Sequence, residues 1–178
     1  MTFKVLAISG SLRKASTNTQ ALRAAQALAP EGMAIEIADI SAIPMFNADV
    51  LAAGEPASVT AFKAQVRAAD AVLICSPEYN FSIPAVLKNA LDWASRPPEP
   101  PFDGKPVAIM GVSSGQVGTA RMQQHLRQVL VFLNASTVNK PEVLVNQSAS
   151  KFNAQGELTD EGARKFIVDL LLALRRLG

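Results

Sequence analysis

The chain has 178 residues, of which 49% are hydrophobic, and 17 Lys and Arg against 15 Asp and Glu leave a net charge of +2. This length can bury one core without disulfides or metals, and the balanced charge argues against nucleic-acid binding. Its single cysteine, Cys75, excludes an intramolecular disulfide. No apolar run approaches the roughly 18 to 20 residues of a membrane span, and the segment Met1 to Val5 does not resemble a signal peptide. We therefore expect one soluble, cytoplasmic domain over residues 1–178.

The predicted elements alternate between strand and helix along the chain. Apolar runs predict strands at 3–9, 33–38, 71–75, 107–112 and 135–145, the last interrupted near Lys140-Pro141. Helices are predicted at 19–29, 58–69, 84–94, 119–133 and 159–177. An irregular connection is predicted at 44–56 and an extended proline loop at 97–101. Near-continuous apolar strands separated by helices are typical of a parallel sheet covered on both faces, so the predicted fold class is α/β.

The loop after the first strand has the composition of a phosphate site. Ser11, Ser16, Thr17 and Asn18 precede a predicted helix, whose free N–H groups and positive dipole end favour an anion. Helix capping is the simpler explanation for such residues. Arg13 favours the phosphate, because a cap needs no cation and the dipole repels one. The glycine spacing fits neither a dinucleotide fingerprint nor a Walker loop, which leaves a monophosphate as the better ligand.

Two further strands end in unusual loops. The segment Pro77 to Pro84 offers the flat side chains of Tyr79 and Phe81, the amide of Asn80, and backbone N–H groups for a polar heterocycle. Its aromatic residues could instead be packing plugs, and Glu78 a solvated turn residue. The third loop, 113–118, is small, polar and glycine-containing, and by itself would be a simple turn. Strand ends of a parallel sheet converge on one edge, so the three loops together predict a ligand site.

Motifs in and around these loops resemble those of a known protein family. The motifs are Gly10-Ser11-Leu12-Arg13 with Ser16 and Asn18, Pro77-Glu78-Tyr79-Asn80 through Pro84, Leu87 to Trp93, and Ser113-Ser114-Gly115 with Gly118 and Arg121. The chain resembles the NADPH-dependent FMN reductases of the flavodoxin-like class, near their bacterial quinone and chromate reductase branch. The resemblance implies a doubly wound, five-stranded parallel sheet in the order 2-1-3-4-5. It also implies FMN at the switch point and a homodimer or homotetramer.

The resemblance further implies which residues bind the cofactor. The FMN phosphate would be held by Ser11, Arg13, Ser16, Thr17 and Asn18. The isoalloxazine ring would be lined by Pro77, Glu78, Tyr79 and Asn80, and its other edge would face Ser113 and Ser114. At the position of Thr17 an aromatic residue is frequent in the family. Thr17 is therefore expected to contact the phosphate through its backbone and not to pack as an aromatic side chain would. NADPH or NADH would donate hydride, which FMN would pass to a quinone, free flavin or related small acceptor in a ping-pong cycle.

The sequence offers few side chains for metal binding or acid–base catalysis, which is consistent with flavin chemistry. His125, the single histidine, is predicted on a solvated helix face, and Cys75 is predicted to be a small core residue. We therefore predict neither a metal site nor a catalytic triad, and flavin chemistry requires neither. The alternatives are a flavodoxin-type electron carrier without its own substrate and a regulatory module that has lost its flavin. Whether Trp93 and Phe102 pack inside the subunit or against another subunit is left open.

Overall fold

The sheet has the predicted strand order. The computed structural model describes residues 1–178, and its strands are β1 (Phe3–Ser9), β2 (Met33–Ala38), β3 (Ala71–Cys75), β4 (Pro106–Val112), β5 (Ser136–Thr137) and β6 (Val143–Val145). All pair in parallel in the order β2-β1-β3-β4-β5, and β6 also pairs with β4. The predicted fifth strand is therefore two short segments against the same neighbour. The predicted interruption at Lys140-Pro141 lies in the gap between them.

The helices match the predictions to within about two residues, with one addition. They are α1 (Thr17–Ala27), α2 (Ala48–Ala53), α3 (Ala57–Ala68), α4 (Ala85–Ala94), α5 (Ala120–Phe132) and α6 (Glu161–Leu177). The prediction of an irregular connection was wrong for 48–53, because Asn47 caps a short helix there by accepting a hydrogen bond from the N–H of Asp49 (2.8 Å). None of the helices combines the length and apolarity needed to cross a bilayer.

Helices cover both faces of the sheet, as the apolar strands require. Along β1 the side chains alternate, so that Val5 and Ala7 join the apolar cluster under α1 and α6, whereas Leu6 and Ile8 join the cluster under α3, α4 and α5. Every residue of β3 is buried. This is a doubly wound α/β arrangement, and the predicted fold class is confirmed.

Trp93 and Phe102 pack inside their own chain. Both are fully buried, and the Trp93 indole N–H donates to the carbonyl of Pro44 (2.8 Å). The Phe46 ring lies edge-on to Trp93 with the ring centroids 4.9 Å apart. The alternative in which these two residues bury surface against another subunit is therefore wrong. The segment after β2 folds back over α4 and covers the tryptophan, and a sequence pattern does not show this long-range contact.

Candidate functional site

The three unusual loops meet at the carboxyl edge of adjacent strands. They follow β1, β3 and β4, which are neighbours in the sheet. The N–H of Gly10 donates to Cys75 (2.9 Å), and the N–H of Ser76 donates to Met110 (3.2 Å), so the pairing continues past the strand ends. The chain moves from β1 outward to β2 and then returns to β3, which makes this edge a topological switch point. Ligands of open α/β sheets bind in such a crevice.

Two glycines allow the strand ends to lie this close. A Cβ atom at Gly10 would lie 2.2 Å from Ser76 Oγ, and one at Gly111 would lie 1.9 Å from Thr119 Oγ1. Neither distance is possible for a real side chain, so the edge requires glycine at both positions. Gly111 gave no sequence signal, because it lies inside an apolar strand pattern.

The first loop presents a cluster of unbonded backbone donors. Ser16 caps α1 by accepting from the N–H of Thr19 (3.4 Å), so the helix begins two residues earlier than predicted and includes Thr17 and Asn18 in its first turn. The N–H groups with no partner in the chain are those of Leu12, Lys14, Ala15, Thr17 and Asn18. Arg13 is exposed and forms no ion pair. Free donors, a helix N-terminus and an unpaired guanidinium are the groups that favour an anion in proteins.

Asn18 is tied to the sheet by its side chain. It is only 3% exposed; its Nδ2 donates to the carbonyl of Val112 (2.9 Å), and its Oδ1 accepts from the N–H of the same residue (2.8 Å). The amide therefore joins the start of α1 to the end of β4. What Asn18 can still offer to an anion is its backbone N–H.

The second loop is a tight, strained hairpin. The backbones of Tyr79 and Ser82 exchange two hydrogen bonds, of 3.1 and 2.9 Å. Between them, Asn80 (φ 50°) and Phe81 (φ 63°) are both left-handed, as in a type I′ turn. Asparagine tolerates this conformation, whereas phenylalanine there costs on the order of 1 kcal/mol. The N–H groups of Glu78, Asn80 and Phe81 have no partner in the chain.

Glu78 caps a helix that begins far along the chain. Its Oε2 accepts from the backbone N–H groups of Arg121 (3.0 Å) and Met122 (3.1 Å), and its Oε1 pairs with the Arg121 guanidinium (3.2 Å). The Glu78 side chain is only 10% exposed, so its interpretation as a solvated turn residue was wrong. The guanidinium in turn lies 4.0 Å from the centre of the Phe81 ring. Hairpin and α5 are thereby joined through one carboxylate and one guanidinium.

The third loop is anchored at its start and open beyond it. The N–H of Ser113 donates to Val145 (2.9 Å), and its Oγ accepts from the N–H of Gly115 (3.2 Å). The segment 114–117 is exposed, and the N–H groups of Ser114, Gln116 and Val117 have no partner.

Exposed apolar side chains surround the same edge. Leu12 in the first loop, Tyr79 and Phe81 in the second, and Val117 in the third are each more than half exposed. We call these four residues the collar. An apolar collar around free hydrogen-bond donors suits a flat ligand with polar edges.

Cys75 and His125 lie near the edge without forming a reactive pair. The Cys75 thiol is buried and donates to Asn18 Oδ1 (3.4 Å), and burial raises the pKa of the thiol. His125 is exposed on α5, with its Nδ1 3.0 Å from the hydroxyl oxygen of Ser82. The chain brings no three His, Cys, Asp or Glu side chains together as metal ligands.

Comparisons with known proteins identify the family of this chain. Residues 3–150 match the NADPH-dependent FMN reductase family. The chain is 58% identical over 172 residues to the NAD(P)H-dependent FMN reductase of Pseudomonas aeruginosa, a match covering 97% of this chain and 93% of that protein. It is 44% identical over 173 residues to the quinone reductase of Escherichia coli K12, covering 96% and 92% respectively.

A solved structure shares the fold across the whole chain. FerB, a flavoenzyme NAD(P)H:(acceptor) oxidoreductase from Paracoccus denitrificans, superposes with a TM-score of 0.89 at 35% identity and covers 98% of this chain and 96% of its own. Sheet order and switch-point loops define a flavodoxin-like α/β protein. The chain belongs to the NADPH-dependent FMN reductase family, whose members are oxidoreductases using FMN and a nicotinamide dinucleotide.

Proposed function

We propose that this protein is an FMN-dependent NAD(P)H oxidoreductase that passes hydride to quinones, free flavin or related flat acceptors. The proposal rests on one observation: three loops meet at one edge of the sheet, and each has backbone N–H groups that have no partner in the chain. The names of the relatives from Pseudomonas aeruginosa and Escherichia coli support flavin and quinone as acceptors.

The first loop fits the terminal phosphate of FMN. Its unbonded N–H groups and the α1 dipole supply fixed donors, and Arg13 supplies the charge that a dianion requires. Ser11 and Thr17 add hydroxyls beside them, whereas Ser16 acts mainly as the cap that orients the first turn. Asn18 contributes its backbone N–H and fixes the loop against β4.

The hairpin and the third loop fit the ring. The N–H groups of Glu78 and Asn80 can donate to the polar edge of an isoalloxazine, with Pro77 and Tyr79 against its surface. Ser113 and Ser114 would face its other edge. When bound, FMN supplies hydride exchange at its N5 atom. The backbone donors around that edge stabilise negative charge without needing an ionisable side chain.

The collar controls what reaches the ring. Its apolar side chains exclude water and hold a flat partner by stacking, with few polar groups to select among acceptors. Donor and acceptor would share this one surface, so they would bind in turn. A ping-pong cycle follows, and the choice among quinones then depends on shape and reduction potential.

A homodimer or homotetramer is part of the proposal. Met45 is 72% exposed on the segment that follows β2. Leu12 and Phe81 are exposed apolar residues as well, and burying such side chains against a second copy would favour assembly.

The experiment that tests the function is anaerobic reduction of the FMN-loaded protein. NADPH should bleach the oxidised flavin spectrum rapidly, and a quinone added afterwards should restore it. Slow bleaching with NADPH and NADH, together with fast exchange with other redox proteins, would favour the electron-carrier alternative. The net charge of +2 argues against that alternative, because carriers of this fold are usually strongly acidic.

Arg13→Ala tests the phosphate site. Loss of a charge-assisted contact worth about 1.5–3 kcal/mol should weaken FMN binding by about 10- to 150-fold, measured by titration of apoprotein. Arg23→Ala is the matched control, because Arg23 is an exposed, unpaired arginine farther along α1. Equal FMN affinity in Arg13→Ala and wild type would remove Arg13 from the site.

A further inference from the structure

A short segment after β6 holds the third loop from one side. This segment is residues 146–148, which we call the clamp. The N–H of Ser148 donates to the carbonyl of Ser113 (3.1 Å), and the N–H of Gln147 donates to the carbonyl of Gly115 (3.0 Å). Two carbonyl groups of the third loop are therefore bonded to the backbone of the clamp.

A third bond comes from a side chain of the clamp. The Asn146 Nδ2 donates to the carbonyl of Gln116 (2.9 Å), one residue farther along the loop. The end of the loop also lies against β6, because a Cβ atom added at Gly118 would lie 3.1 Å from the Cβ of Leu144. Together the clamp and β6 support the third loop from its first residue to its last.

The clamp contains one strained residue. Gln147 has φ 47° and ψ 49°, in the left-handed region that glutamine rarely adopts. A left-handed residue beside a right-handed one directs successive N–H groups to the same side. Here the N–H groups of Gln147 and Ser148 both point at the third loop. Strain of this kind persists only where the surrounding contacts impose it, and it is concentrated at functional sites.

The carbonyls held by the clamp belong to the peptides whose N–H groups are free. The peptides of the third loop are trans, so each C=O and the N–H that follows it point in opposite directions. The N–H groups that follow the three bonded carbonyls are those of Ser114, Gln116 and Val117, and none has a partner in the chain. All three therefore point away from the clamp.

The side away from the clamp is the side of the hairpin. β4 leads into the third loop and has β3 on one side and β6 on the other. The clamp continues β6 and the hairpin follows β3, so the two lie on opposite sides of the loop. The three free N–H groups are thereby turned toward the crevice in which the flavin ring would lie.

One of these three donors depends on the type of a single residue. The peptides before Ser114 and Gln116 are held by backbone N–H groups of the clamp, which any residue except proline supplies. The peptide before Val117 is held by the Asn146 side chain instead, in a part of the loop that is exposed to solvent. Without that side chain, nothing in the chain would fix the direction of the Val117 N–H.

We propose that Asn146 is a positioning residue for the flavin reaction, because it directs the Val117 N–H at the polar edge of the ring. The inference rests on the proposed function and adds to it a residue that acts through the backbone without touching the cofactor. The reduced ring carries negative charge at its polar edge, so donors fixed there stabilise the reduced form more than the oxidised form. Asn146 thereby raises the reduction potential of the bound flavin.

The test compares Asn146→Ala with wild type. Oxidised FMN should bind about 2-fold more weakly and reduced FMN about 10-fold more weakly, because a hydrogen bond to a charged acceptor is worth more than one to a neutral acceptor. The resulting ratio of about fivefold lowers the two-electron potential by about 20 mV. Titration of apoprotein gives the affinity, and equilibration with a reference dye gives the potential.

Asn153→Ala is the matched control. Asn153 is also half-buried and lies a few residues beyond the clamp, where its Oδ1 accepts from the N–H groups of Gln155 (3.0 Å) and Glu157 (2.9 Å). This variant should lose stability and keep the wild-type potential. A wild-type potential in Asn146→Ala would overturn the inference even if FMN bound more weakly, because a change in loop shape would then explain the loss.

Amide hydrogen exchange of the FMN-loaded protein tests the direction of each donor. In wild type, FMN should slow exchange at Ser114, Gln116 and Val117, whereas in Asn146→Ala the protection should be lost at Val117 and kept at Ser114. Equal protection of Val117 in both proteins, or none at any of the three in wild type, contradicts the inference. Failure of the wild-type protein to bind FMN would instead contradict the proposed function on which the inference rests.

Discussion

Cys75 and Asn18 form a hydrogen bond where the ends of β3 and β4 meet the start of α1. Both residues support the candidate site without taking part in a reaction. The Asn18 amide bonds both backbone groups of Val112, and the Cys75 thiol donates to the same amide oxygen. Neither side chain is available to solvent. The rigidity of the first loop therefore depends on side chains whose types, read in the sequence alone, suggest a ligand or a nucleophile.

Cys75 is expected to be unreactive in the folded protein. Burial raises the pKa of its thiol, so the thiolate, which is the reactive form, is not populated near pH 8. Iodoacetamide should leave the native protein unmodified and its turnover unchanged, whereas the urea-unfolded chain should gain one adduct by mass spectrometry. Rapid loss of activity with native alkylation would show instead that the thiol opens to solvent.

At the scale of elements, two helices obtain their N-terminal caps in opposite ways. α6 is capped locally, because Asp160 accepts from the N–H of Ala163 (2.8 Å). α5 has no side-chain cap from its own N-cap residue, Thr119, and depends on Glu78 of the hairpin. The stability of α5 and the shape of the hairpin are therefore coupled through the Glu78 carboxylate.

Glu78→Ala should affect both elements at once. It leaves two helix N–H groups without an acceptor and Arg121 without its ion partner, so we expect a loss of about 1–2 kcal/mol in the free energy of unfolding. FMN affinity should fall as well, because the hairpin loses its anchor. Glu78→Gln keeps an acceptor oxygen and should retain most of the stability. Urea unfolding and FMN titration measure the two effects. Full FMN affinity in Glu78→Ala would mean that the hairpin keeps its shape alone.

The cap of α6 predicts a pH dependence. Hydrogen bonds from Lys151 and then from the N–H of Ala163 lower the pKa of Asp160. Its contribution to stability is therefore present above the unfolded pKa of about 3.9 and is lost as pH falls through the lower folded value. Asp160→Asn can still cap but does not titrate. The stability difference between wild type and Asp160→Asn should shrink between pH 6 and pH 2 in urea unfolding. A constant difference would exclude this carboxylate as the titrating group.

At the scale of the whole molecule, repeating patterns were predictable and single long-range contacts were not. Alternating apolar runs and helices give the parallel sheet, and family motifs give its order, because both are properties of local sequence. The predicted site loops lie at one edge because parallel strands end there. The roles of Glu78 and Trp93 could not be predicted, because their partners, Arg121 and Pro44, are more than 40 residues away and carry no matching signal.

The same architecture predicts the order of events in turnover. The four exposed collar side chains belong to loops at one sheet edge, so we expect donor and acceptor to occupy the same place there, one after the other. Initial rates measured against NADPH at several fixed quinone concentrations should give parallel double-reciprocal lines, as a ping-pong cycle requires. High quinone should inhibit competitively against NADPH, because it blocks the surface that the nicotinamide needs. Intersecting lines would show a ternary complex and would require a second stacking surface, which the four collar residues do not offer.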